Sequence, residues 1–238
     1  MRQHPYQQLL ARKRVWTPVR PTAGKLKEGS EETIKRALAI RHLELPVGAF
    51  IKEALEDIPA LSRELLEDNV RDEDRHDIAL NYIAEAHGVD PKAEAEAFRL
   101  QAAWDAHPDH TVLKALTIEK AIFFVLLPFF RFNGDTGLRV TSADISRDET
   151  IHVSSHSLVC KELGLTASPS LDKLRKATIN WVLQPLGNSE DRYLNKKFWL
   201  DQSDNLMYRG KAEGLADTKR ARVPAFFETS NSDLPSYA

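Results

Sequence analysis

From residue 30 to about residue 210 apolar side chains recur every three to four positions, and no stretch alternates apolar and polar residues between hairpin turns. That spacing fits one face of an α-helix and leaves little for a sheet to use, so the sequence predicts an all-α domain. Ser30 with Glu31 and Glu32 marks a first helix start, because a hydroxyl and two acids suit the exposed N–H groups of an opening turn. The apolar series Ile34, Leu38, Leu43, Val47, Phe50, Leu55 continues it to about Asp57, with a kink expected at Pro46. Pro59 opens a second helix that ends near His87, before Gly88. Asp90 and Pro91 form a cap and first-turn pair for a shorter helix to about Asp105. Further helices are expected from about Asp109 to Phe132, from a cap at Thr141 or Ser142 to just before Gly164, from Ser170 to Leu183, and from Ser189 to Arg209. Residues 1–29, rich in Pro, Gly and basic side chains, read as an irregular N-terminal arm. Residues 30–222 read as the helical domain, and 223–238 as a flexible C-terminal tail.

Charge and composition narrow the function classes. A net charge of −2 argues against a broad nucleic-acid surface, which needs a basic field. The longest apolar stretch, Ala121 to Phe130, is broken by Pro128 and is too short to span a bilayer, so no membrane segment is expected. The N-terminus has no apolar core of a signal peptide, and Cys160 is the single cysteine. Together these point to a reducing, cytoplasmic setting.

Two Glu-x-x-His motifs stand in the expected helices, Glu73 with His76 and Glu149 with His152. Positions i and i+3 share a helix face, so each motif aims a carboxylate and an imidazole in one direction. Such a pair can hold one metal ion while the carboxylate reaches a second. Each motif has a further glutamate upstream at hairpin distance: Glu44 lies 73 − 44 = 29 residues before Glu73, and Glu119 lies 149 − 119 = 30 residues before Glu149. About 14 residues out and 14 back, at 1.5 Å each, bring the partners to the same level over arms of roughly 21 Å. Glu119 sits among Ile118, Ala121, Ile122, Phe123 and Phe124, where an unpaired carboxylate would be costly to bury. Its bland alternative is an exposed edge beside Lys120. For Glu44, the nearby Glu53 and Glu56 are alternatives. His42, His87, His107, His110 and His156 lack such an arrangement and read as surface or helix-end residues. Four carboxylates and two imidazoles form an oxygen-rich set that suits two divalent ions of iron or manganese better than zinc. The expectation is a ferritin-like helical bundle with a dimetal-carboxylate site in a four-helix core, its ligands Glu44, Glu73, His76, Glu119, Glu149 and His152.

The segment Gly137–His152, GLRVTSADISRDETIH, resembles the second metal motif of the small (β) subunit of class I ribonucleotide reductases, where "GLTFSN-x-x-ISRDE-x-x-H" is found. Ile118–Phe124, IEKAIFF, is similar to the family's "VEGIFF", and Glu73–His76 to its first E-x-x-H. The resemblance covers roughly residues 30–165, with a weaker likeness at Phe226–Glu228. It implies a one-electron oxidant generated at an Fe/Fe or Mn/Fe pair and supplied to a separate large (α) subunit, with the small subunit a homodimer. It also implies roles for Asp148 as the carboxylate that bonds a metal-bound histidine, His76, and for Trp16 at the outer end of that path. Tyr237 would be the tail tyrosine facing the large subunit. By their own residues, Trp16 reads equally as an apolar anchor of the arm and Tyr237 as an ordinary tail residue. Two positions depart from the radical-tyrosine members. Leu80 stands four residues after the first metal histidine, where they carry tyrosine, and Glu44 stands where they carry aspartate. Tyr82, the nearest tyrosine, points about 200° away around the helix. The alternative reading is a stand-alone dimetal oxygenase or oxidase acting on a small molecule.

Overall fold

The computed structural model describes residues 4–215, and over these the chain is all-α, with one isolated bridge between Asn188 and Asn195 as its only β pairing. Two helical hairpins form the centre. In the first, α3 (Glu44–Ala54) returns through a short connection as α4 (Arg63–His87). In the second, α6 (Thr111–Ile118) runs through a π turn at Glu119–Phe123 into α7 (Phe124–Asn133), and α8 (Thr136–Glu162) returns. α3 packs on α4, α4 on α8, α8 on α6 and α7, and α6 back on α3, which closes a four-helix ring. The crossover between the hairpins carries α5 (Pro91–Asp105), while α2 (Glu31–Ala39), α9 (Pro169–Val182) and α10 (Lys196–Arg209) pack around the ring.

The inward stripes explain why these helices pair. On α4 the buried positions Leu66, Asn69, Glu73, His76, Leu80 and Ile83 follow steps of three and four. On α8 the same rhythm gives Leu138, Ser142, Ile145, Glu149, His152, His156 and Val159, all buried. Glutamate and histidine therefore replace apolar residues in the middle of each stripe, and the apolar residues at either end seal them from water. Trp104 is fully buried and donates its indole N–H to Thr178 Oγ1 at 3.1 Å, which fastens α5 to α9.

Several boundaries differ from expectation. The break near Pro46 lies earlier, as a 3-10 turn at Ile40–Leu43, and Pro46 falls in the first turn of α3, where its missing N–H costs nothing. α8 begins at Thr136 and is capped by Asp135, whose Oδ1 accepts from Leu138 N at 2.9 Å, so neither Thr141 nor Ser142 is its cap. The tight turn at Gly134 needs glycine, since a Cβ there would stand 2.5 Å from Phe130 O. α10 starts at Lys196, capped by Asn195, and not near Ser189. The arm expected to be irregular contains a short helix, α1 (Pro5–Leu10), because Pro5 suits a first turn and Tyr6 and Leu9 find apolar cover against α4 and α8. Tyr6 OH donates to Glu162 Oε1 at 2.9 Å. Beyond α1 the arm runs extended along the bundle, and Gly24 N donates to Asp135 Oδ2 at 2.6 Å. Among the described residues no helix is long and apolar enough to cross a membrane.

Candidate metal centre

All six expected ligands meet in the middle of the four-helix ring, and each is buried. Glu44 opens α3 directly after the 3-10 turn, Glu73 and His76 come from α4, Glu119 begins the π turn, and Glu149 and His152 come from α8. A π turn widens one helical turn and shifts the side chains on either side of it, so Glu119 is placed by a local irregularity. α10 braces that irregularity: Ser203 Oγ donates to Ala121 O at 2.6 Å and Lys120 Nζ to Met207 O at 3.3 Å.

The ligand atoms fall into two groups, Glu44, Glu73, His76 and Glu149 in one, and Glu73, Glu119 and His152 in the other, each within 4.8 Å. His76 Nδ1 lies 3.6 Å from Glu44, 3.4 Å from Glu73 Oε2 and 3.3 Å from Glu149 Oε1. His152 Nδ1 lies 2.9 Å from Glu73 Oε1, 3.5 Å from Glu119 Oε1 and 3.8 Å from Glu149 Oε2. Glu73 and Glu149 thus turn one oxygen to each imidazole, while Glu44 and Glu119 stand at opposite ends. Both oxygens of Glu44, Glu73 and Glu149, Glu119 Oε1, and the Nδ1 atoms of both histidines are buried without a hydrogen-bond partner. So many orphaned polar atoms facing one another would be strongly destabilising in an empty core, whereas metal ions satisfy all of them. These buried groups are therefore able to hold metal ions.

The outward ring nitrogens are each held by an aspartate. His76 Nε2 lies 3.2 Å from Asp148 Oδ2, and His152 Nε2 lies 3.0 Å from Asp72 Oδ2. With Nε2–H donated outward, Nδ1 presents its lone pair to the centre. Trp16 Nε1 donates to the same Asp148 oxygen at 2.7 Å, and its ring stacks 6.2 Å from that of His76. The arm's Trp16 is thus bonded into the site as well as packed on it. Leu80 lies one turn after His76 and is buried, while Tyr82 is half-buried under the Arg20 guanidinium at 4.0 Å, which agrees with the helix-register argument. Tyr237 lies outside the described residues, as does the tail 223–238.

Charge inside the cluster is set by burial against mutual attraction. Burial pushes Glu149 up to about 7, and pushes Glu44 well above the usual carboxylate range. Burial opposes charge on both histidines, but the surrounding carboxylates prevail: His152 rises to about 9 and His76 rises well above its ordinary value. Glu73 goes the other way, because His152 and His76 outweigh its burial. Asp148 is likewise held below its ordinary value, its bonds from His76 and Trp16 overcoming burial.

His156 was expected at the surface or at a helix end, yet it is fully buried and its Nδ1 stands 2.6 Å from Glu119 Oε2. It occupies the next inward position of α8 after His152, so the three-four rhythm carried the signal. Asp72 too was legible in retrospect, because Asp72-Glu73-x-x-His76 repeats the order Asp148-Glu149-x-x-His152. His87 does close α4, where it pairs with Asp135 at 3.0 Å, and His110 caps α6. No family model matches the sequence, and no curated protein matches it.

Proposed function

We propose that this chain is the small, oxidant-generating subunit of a class I ribonucleotide reductase, acting as a cytoplasmic homodimer with a separate large subunit and carrying two metal ions per chain, Fe/Fe or Mn/Fe. The observation that supports this reading is the bonded path from His76 through Asp148 to Trp16. Glu44, Glu73, His76, Glu119, Glu149 and His152 would hold a pair of redox ions, which would supply one-electron oxidising chemistry, and Leu80 offers no phenol beside them to store a radical. His76 presents Nδ1 inward and keeps its proton on Nε2, shared with Asp148. Asp148, held as a carboxylate, accepts the indole N–H of Trp16. Loss of an electron from an indole makes that N–H strongly acidic, and Asp148 Oδ2 stands where the proton can go. The route leads outward to a half-buried ring on the arm. The nucleotide would bind the large subunit and not this chain.

A stand-alone oxygenase would need a substrate cavity opening on the ions. The mostly apolar cavity beside Leu113, Leu116, Lys120, Cys160 and Tyr208, of about 540 Å³, is lined by none of the six ligands. The test is reconstitution with the large subunit from the same source. Nucleotide reduction is expected with the full chain, and its loss with unchanged metal content in a chain truncated after Arg222. Undiminished reduction by the truncated chain would refute docking of residues 223–238 on the large subunit, which this reading requires, and absence of reduction by the full chain would leave the oxygenase reading ahead.

A further inference from the structure

The two halves of the centre have matching ligands but opposite surroundings. The His76 half faces Glu44, Glu73 and Glu149, and both Glu44 oxygens are without a partner. Its outer carboxylate, Asp148, is bonded by the neutral indole of Trp16; among the described residues His76 is its ion-pair partner, and Lys13 acts on it electrostatically without reaching ion-pair distance. The His152 half faces only Glu73 and Glu119 at close range, with Glu149 at 3.8 Å. Its outer carboxylate, Asp72, is buried against two cations, Arg75 from α4 and Lys13 from the arm, the lysine also pairing with Asp68 at 3.2 Å. A carboxylate neutralised by cations shares less charge with the imidazole it holds.

Glu119 is also partly taken up. Lys13 Nζ donates to Asn69 Oδ1 at 3.0 Å, which fixes the orientation of that amide. Asn69 Nδ2 then donates to Ser155 Oγ at 3.0 Å and faces His156 Nε2 at 3.4 Å. With Nε2 accepting, the His156 proton lies on Nδ1 and is donated to Glu119 Oε2 at 2.6 Å. Only Glu119 Oε1 is left free. His156 is not among the Glu73, Glu119 and His152 ligand group, so its part is to hold Glu119 and not to ligate.

We propose that Lys13, through Asp72, and His156, through Glu119, are positioning residues that make the two halves unequal, so that a divalent cation binds first and more tightly beside His76 and second beside His152. The proposal rests on the dimetal reading of the centre. Buried charges are poorly screened, so removing one cation from the outer sphere of the second position changes ion affinity there by about tenfold or more.

The experiment is titration of the metal-free full chain with Mn(II) alone, followed by electron paramagnetic resonance and calorimetry. The native protein is expected to fill in two steps: an isolated-ion spectrum at the first equivalent, then a spin-coupled pair at the second. Lys13→Met should strengthen the second step by about tenfold and the first by less, because Lys13 pairs directly with Asp72 but acts on Asp148 and Glu73 without an ion pair. Lys13→Arg keeps the charge and should restore the native separation. His156→Leu, which leaves the arm untouched, should also narrow the gap by freeing Glu119 Oε2. Glu44→Gln should weaken the first step selectively. Simultaneous filling of both positions by the native protein would overturn the inequality and leave the dimetal reading standing, and unchanged steps in both Lys13→Met and His156→Leu would overturn the roles given to those two residues. Absence of Mn(II) binding by the native protein would overturn the dimetal reading and this proposal with it.

Discussion

Loading the centre with divalent ions should expel protons, in a number that falls as pH rises. In the metal-free cluster Glu149 titrates at about 7, raised by burial, and His152 at about 9, where its carboxylate neighbours overcome burial. Both must lose a proton to ligate. At about pH 6 each carries one, so at least two protons leave per chain; at about pH 8 only His152 still carries one, so at least one leaves. Glu44 and His76 are shifted in the same direction and can only add to these counts. Two protons released make the apparent affinity rise about a hundredfold per pH unit, or roughly 3 kcal/mol (2 × 1.36). Calorimetric Mn(II) titrations in two buffers of different ionisation enthalpy give the number directly. Glu149→Gln should lower the count near pH 6 by one and leave the count near pH 8 almost unchanged. Stability of the metal-free protein should move oppositely. His152, raised from 6.5 to about 9, contributes stability that is complete below 6.5 and lost as pH climbs through 9. Glu149, raised from 4.5 to about 7, contributes stability below 4.5 that is lost as pH climbs through 7. The metal-free Tm should therefore fall over this range, and excess Mn(II) should reverse the trend. Release of less than about half a proton near pH 6, or an affinity flat in pH, would refute the reasoning.

Trp16→Phe keeps the ring and removes the N–H bonded to Asp148, so metal content should hold while nucleotide reduction with the large subunit falls by about 10–100-fold; full activity would show that the indole bond is dispensable. Oxidised protein should lack a tyrosyl radical signal from beside the metals, because Leu80 is the residue one turn from His76; a signal abolished by Tyr82→Phe would contradict that. Trp104→Ala, at a fully buried ring, should cost about 3–5 kcal/mol in a denaturant titration, and a loss under about 1 kcal/mol would mean that α5 is not held by that contact.

The helical class and the meeting of the six candidate ligands were legible because each rests on spacing along one chain. Three-four periodicity marks the stripe, i and i+3 pair a carboxylate with an imidazole, and hairpin separation brings Glu44 and Glu119 to the level of their partners. The outer sphere was less legible because it depends on tertiary approach. Nothing local says that Lys13 reaches Asp72 or that His156 lies against Glu119, and His156 looks like any isolated histidine until the stripe of α8 is traced through it. The π turn had no sequence signal beyond a glutamate in an apolar run. Its extra width is held by Ser203, more than 80 residues later. The misplaced start of α8 has a simpler cause: Thr141 and Ser142 carry cap-forming hydroxyls, but Asp135, further upstream, is the residue that caps the helix.

The extended arm that carries Lys13 and Trp16 is made first and used last. Its lysine meets Asp72 59 residues later, but its tryptophan meets Asp148 only after 132 residues. At ribosomal rates of about 5–20 residues per second, Asp148 follows Trp16 into existence by about 7–26 s. The arm thus behaves as a clasp that can shut only on a finished bundle. A chain stalled before α8 has four of the six candidate ligands and no partner for its indole, so the buried cluster and the arm's contact with it are completed together.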